Sequence, residues 1–124
     1  IHVSAAQARS MGFKVPAKPS RVMNTTEARY ADYLEMEIRL GHILGYQFEA
    51  RKFRIGGIGE KCWYTPDFIV VLPDGREEIH EVKGAYTRDD GKVKYKACAR
   101  LHPWLRFVLA TWDKGSWTVR EVGN

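Results

Sequence analysis

The chain has 124 residues, 44% of them hydrophobic and 28% charged, which is room for one domain around one core. Its two cysteines, Cys62 and Cys98, make no CxxC pair and no Cys/His cluster, which excludes the common structural zinc patterns and a disulfide framework and points to a reducing compartment. The longest unbroken apolar run, Phe68 to Leu72, is far short of the about 20 residues of a membrane helix, and no apolar leader core stands near Ile1, so a cytoplasmic protein without membrane contact is expected.

The net charge is +5, from 20 Lys and Arg against 15 Asp and Glu. Its distribution is uneven. Residues 1–23 carry four bases and no acid, residues 24–91 carry 9 bases and 13 acids, and residues 92–124 carry 7 bases and 2 acids. An acidic middle between basic ends raises one question: whether those carboxylates balance surface charge or converge on a site.

In chain order, Ser4 caps a short helix that Gly12 ends. Residues 13–23, with Pro16 and Pro19, read as an extended basic arm. The domain proper is expected over 24–124. Asn24 and Glu27 make an approximate capping box. Ala31, Leu34 and Ile38 follow at helical spacing, with Glu27 at the top of the same stripe. Glu35, Glu37 and Arg39 read as a solvated face, and Gly41 or Gly45 ends the helix. Residues 46–55 alternate as a strand, 56–60 form a Gly-rich loop, and 62–72 form a second strand. Pro73-Asp74-Gly75 is a turn. A third strand spans 76–83, with Ile79 and Val82 at buried positions. A polar loop then leads to a helix over 92–101, stopped by His102-Pro103. Residues 106–112 are a buried strand, Asp113-Lys114-Gly115 a turn, and 116–122 an edge strand. The order predicts an α/β domain, a mixed sheet flanked by helices.

One constellation carries chemistry. Asp67 follows Pro66 at an apolar strand. Glu81 and Lys83 alternate on the next strand, so they project together while Val82 packs away. Pairing about the Asp74 turn sets 67 opposite 81, and a one-residue slip would spoil the match. Two carboxylates offer the hard oxygen donors that Mg²⁺ takes, and a neighbouring ammonium can stabilise developing phosphate charge. Glu27 offers a third carboxylate.

Tyr64-Thr65-Pro66-Asp67-Phe68, Leu72-Pro73-Asp74-Gly75 and Glu81-Val82-Lys83-Gly84, behind Thr25-Thr26-Glu27-Ala28, resemble the PD-(D/E)xK nucleases, in particular the phage junction-resolving endonuclease I group. The resemblance covers roughly residues 24–112. It implies a restriction endonuclease-like core of order α-β-β-β-α-β. It implies Asp67 and Glu81 as ligands of Mg²⁺ or Mn²⁺, with the Val82 carbonyl a further one, Glu27 completing the metal site and Lys83 as the catalytic lysine. It also implies hydrolysis of DNA phosphodiesters, a homodimer acting on branched DNA, and work in the host-cell cytoplasm. The N-terminal arm and the short C-terminal end depart from the endonuclease I pattern. A nicking or restriction-type nuclease on the same fold and a non-catalytic DNA-binding module are the alternatives.

Each residue also has a plainer reading. Glu27 can be a helix cap, Asp67 a turn residue, and Glu81 with Lys83 a surface ion pair. Glu49 either faces the site or pairs with Arg51. His80 points away from Glu81, and His42 and His102 suit helix ends. Lys92, Lys94, Lys96 and Arg100 form a basic helix, either solvated or contacting phosphates; Arg88, Arg51, Lys52 and Arg54 are weaker contacts of the same kind. Trp63 and Tyr64 read as packing before stacking on bases, and Trp104, Trp112 and Trp117 as core or core-edge residues.

Overall fold

The structure, a computed structural model, describes residues 22–56, 63–84 and 90–122. The helix expected over 4–11 and nearly all of the basic arm lie outside the described residues, as do most of the Gly-rich loop and residues 85–89. Met23, assigned to the arm, packs against the core.

Helix α1 spans Thr25–Arg39. The Asn24 side chain accepts the Glu27 N–H, and the Glu27 carboxylate accepts the Asn24 N–H, so the capping box closes in both directions. Gly41, at φ +78°, ends the helix in the left-handed region. Glu27, Tyr30, Ala31, Leu34 and Ile38 form the buried stripe. The opposite side is less bare than the sequence implies, because Glu35 accepts a hydrogen bond from Tyr46 and Glu37 pairs with His42.

The strands are β1 (Gly45–Phe48), β2 (Phe53–Arg54), β3 (Trp63–Tyr64), β4 (Phe68–Val71) and β5 (Glu77–Lys83), then helix α2 (Asp90–Leu101), β6 (Arg106–Asp113) and β7 (Ser116–Glu121). The five-stranded sheet has the order β1-β4-β5-β6-β7, and β2-β3 form a separate ribbon. Only the β5–β6 pairing is parallel, and α2 is its crossover. The sheet is therefore mixed and flanked by helices, as the element order predicts.

Two expected strands are broken. The strand over 46–55 stops at Glu49, whose φ of +47° turns the chain out of the sheet. The strand over 62–72 is interrupted at Pro66, which has no N–H for a ladder; before it, Tyr64 pairs with Phe53 in the ribbon. The β6–β7 hairpin turns through Lys114 at φ +50° and Gly115 at φ +82°, the double left-handed geometry that matches strand twist.

Helix α1 covers Phe68, Val70, Val82 and Ala110 on one side of the sheet. Helix α2, through Tyr95, Cys98 and Ala99, covers Ile69, Ile79, Phe107 and Leu109 on the other. Burying a Leu34- or Ile69-sized side chain stabilises by about 1.5–3 kcal/mol. Strand β5 is buried on both faces from Glu78 to Val82, so Ile79 and Val82 are both core residues but of opposite layers. Trp112 and Trp117 pack together at 5.1 Å, and Trp117 meets Tyr30 edge-on at 4.9 Å. Trp104 corrects the core expectation: it is 73% exposed, because it sits in the turn after His102-Pro103, beyond the layer that α2 covers.

Candidate active site

The site begins with the register of β4 on β5. Phe68 lies opposite His80, so position 67 falls opposite 81, as pairing about the turn requires. Here β4 has already ended, and the Asp67 side chain takes over: its carboxylate accepts the Val82 N–H at 2.8 Å. Val82 thus reaches the site through its backbone, while its side chain lies in the α1 layer. Asp67 is buried, and this bond fixes its orientation.

Two further carboxylates meet it. The Glu49 N–H donates to the Asp67 carbonyl at 2.9 Å, one step past the last β1–β4 pair, and the chain then turns away. Glu27 arrives from the first turn of α1, whose start abuts the end of β5: a Cβ added at Gly84 would stand 3.8 Å from the Thr26 hydroxyl oxygen. Carboxylate oxygens of Glu27, Glu49 and Asp67 all lie within 4.8 Å of one another. Capping and cluster membership coexist at Glu27, since a carboxylate has lone pairs for both. Arg51, the surface partner weighed for Glu49, holds Glu77 in a two-bond contact of 3.0 and 2.9 Å.

Glu81 and Lys83 project together toward the α2 layer. They are not a surface pair. Lys83 Nζ stands 4.0 Å from Glu81 Oε1, with side-chain exposures of 12% and 9%. The Tyr64 hydroxyl donates to Glu81 Oε2. Glu81 is outside the close group of three, yet its acidity registers the others. Its pKa is pushed up to about 8: burial raises it most, Lys83 opposes, and Glu27 and Glu49 raise it further. Near neutral pH the carboxyl is therefore largely protonated without a cation. The donor set is all carboxylate oxygen, which fits Mg²⁺ or Mn²⁺ and not a thiolate- or imidazole-seeking ion. Crowding of like charges at this distance is relieved by a cation among them.

His80 faces the other layer, as the alternation demands. Tyr30 Oη lies 2.6 Å from its Nδ1, and Glu78 Oε1 lies 3.0 Å from its Nε2. Arg106 donates to the second Glu78 oxygen at 2.6 Å. Burial works to raise the Glu78 pKa, but His80 and Arg106 together hold it below the usual carboxylate range. This buried chain is structural and separate from the acidic group. His102 accepts its helix-end place, with Nδ1 2.8 Å from the Cys98 carbonyl. Cys98 is no nucleophile: burial first, and Glu81 second, push its thiol up to about 12. The Tyr95 hydroxyl is buried with no hydrogen-bond partner among the described residues.

Of the expected phosphate contacts, Lys94, Lys96 and Arg100 are exposed on α2, and Lys52 is exposed before β2. Arg51 is committed to Glu77. Arg88 and the Lys92 side chain lie outside the described residues. Tyr64 is buried, as the packing reading predicts, but Trp63 is 50% exposed, because successive ribbon residues face opposite ways.

No family model, no curated protein and no solved structure matches this chain. Among the described residues no helix is long and apolar enough to cross a membrane.

Proposed function

We propose that the protein is a metal-dependent DNA endonuclease with a PD-(D/E)xK, restriction endonuclease-like core, acting as a homodimer on branched DNA such as a four-way junction. One observation carries this reading. The β4–β5 register and the first turn of α1 bring the Glu27, Glu49 and Asp67 carboxylates together, beside the buried Glu81–Lys83 pair.

In this reading Asp67, Glu49 and Glu27 hold Mg²⁺ or Mn²⁺, with Glu81 joining as its proton leaves. The cation, when bound, supplies Lewis-acid charge to a phosphodiester. Asp67 is kept from rotating by the Val82 N–H, and Glu81 is oriented by Tyr64. Lys83 presents an ammonium where negative charge grows during hydrolysis. Lys94, Lys96 and Arg100 contact the phosphate backbone, which positions the duplex without reading sequence. A symmetric dimer carries two such sites and so makes paired nicks.

The test compares a four-way junction with a linear duplex of matched sequence in Mg²⁺ or Mn²⁺. Paired nicks in the junction are expected. Asp67→Asn and Lys83→Ala should abolish cutting while junction binding persists; the Asn amide oxygen can still accept the Val82 N–H, so the fold survives. Equal cutting of both DNAs would make the protein a general nuclease, and no cutting in either metal would overturn the assignment.

A further inference from the structure

The β2–β3 ribbon has two faces of different chemistry. Phe53 and Tyr64 oppose each other on the buried face, in the α2 layer of the core. Arg54 and Trp63 oppose each other on the exposed face. Directly opposed side chains on one strand pair stand about 5 Å apart, so an indole and a guanidinium form one outward patch. The ribbon is also tied to the acidic site, because Tyr64, the residue after Trp63, bonds Glu81.

From this we infer that Trp63, on the exposed face of the ribbon beside Arg54, forms a stacking subsite for an unpaired base of a DNA strand. The inference rests on the nuclease reading for its substrate class. Single exposed hydrophobic residues are ordinary. Two features set Trp63 apart from the other exposed hydrophobic residues: a cation is its cross-strand partner, and its neighbour is anchored on a proposed metal ligand. An aromatic face accepts any base, since every base offers a π-surface, and a neighbouring positive charge favours approach of a polyanion. A base inside a continuous duplex is already stacked on its neighbours and cannot be received this way. The patch therefore selects for an unpaired nucleotide.

The experiment measures binding of labelled single-stranded oligothymidine, and of an abasic strand of equal length and charge, by fluorescence anisotropy in EDTA. The wild-type protein should prefer the base-bearing strand by about tenfold, the scale of one stacked base. Trp63→Ala should erase that preference and leave abasic-strand affinity unchanged, and Trp63→Phe should keep most of it. Melting curves verify that both variants fold. Equal weakening on both strands, no preference in the wild type, or a changed oligomeric state in Trp63→Ala would overturn the subsite. Base-dependent binding by a protein that never cuts a junction would uphold the subsite and refute the nuclease. Junction cutting without base-dependent binding would do the reverse.

Discussion

Replacing Glu81 with Gln isolates one buried ionisation. The folded Glu81 carboxyl has a pKa of about 8 against an ordinary 4.5. Between those values the folded chain holds a proton that the unfolded chain has released, so stability is full below about pH 4.5 and declines as pH rises toward 8. Each pH unit in that window costs up to about 1.4 kcal/mol, and the whole window on the order of 5 kcal/mol. Gln matches the protonated carboxyl in shape, keeps an oxygen for the Tyr64 hydroxyl and does not titrate. Urea or thermal unfolding in EDTA at pH 5, 6, 7 and 8 would show the wild type losing stability with pH relative to Glu81→Gln, by about 4 °C per kcal/mol at this chain length. At pH 8 the variant should be the more stable protein. Parallel profiles would refute the reasoning, since they would mean that burial and the neighbouring carboxylates do not act on Glu81 as its position requires.

Two Tyr→Phe changes should differ in sign. Tyr30→Phe strips the buried His80 Nδ1 of its partner and should lower stability by about 1–3 kcal/mol, whereas Tyr95→Phe removes a buried hydroxyl without a partner among the described residues and should be neutral or stabilising in the same urea titration. Asn24→Ala removes the side-chain oxygen that accepts the Glu27 N–H and should cost about 1 kcal/mol, with a fall in cleavage rate larger than the change in DNA affinity because the first turn of α1, which carries Glu27, frays. Arg51→Ala breaks a pair whose members are each about one-third exposed; it should cost under about 1 kcal/mol and leave the salt dependence of DNA binding unchanged, because that guanidinium is already engaged.

What could be read from the sequence was what local chemistry decides. Asn24 with Glu27 fixes where α1 begins. Pro73-Asp74-Gly75 fixes the pivot of β4 on β5, and with the pivot comes the register that sets 67 against 81. Alternation along β5 then sorts Glu81 and Lys83 from His80 and Val82. Backbone conformation at single residues was not legible. YQFEAR alternates apolar and polar from Tyr46 to Arg51, so nothing marks Glu49 as left-handed, and its carboxylate stays ambiguous between site and surface. Pro66 was visible, but not that Tyr64 would leave the main sheet to pair with Phe53. Trp104 misled because hydrophobicity says that a side chain prefers burial, not that a layer exists to cover it. Whether Arg51 served DNA or Glu77 depended on a contact between residues 26 apart, which no local pattern encodes.

The left-handed turn at Glu49 has a consequence beyond its carboxylate. Among the described residues, strand β1 is one border of the sheet, and it is only four residues long. Exposed borders template pairing between molecules, and short ones resist it. By ending the strand where it does, Glu49 limits the length available for such self-association. Glu49→Val would favour an extended backbone, lengthen the border and invite aggregation, so lost activity in that variant would report solubility as much as chemistry. Glu49→Asn tolerates the left-handed geometry and removes the charge alone, and is the substitution that separates the two roles.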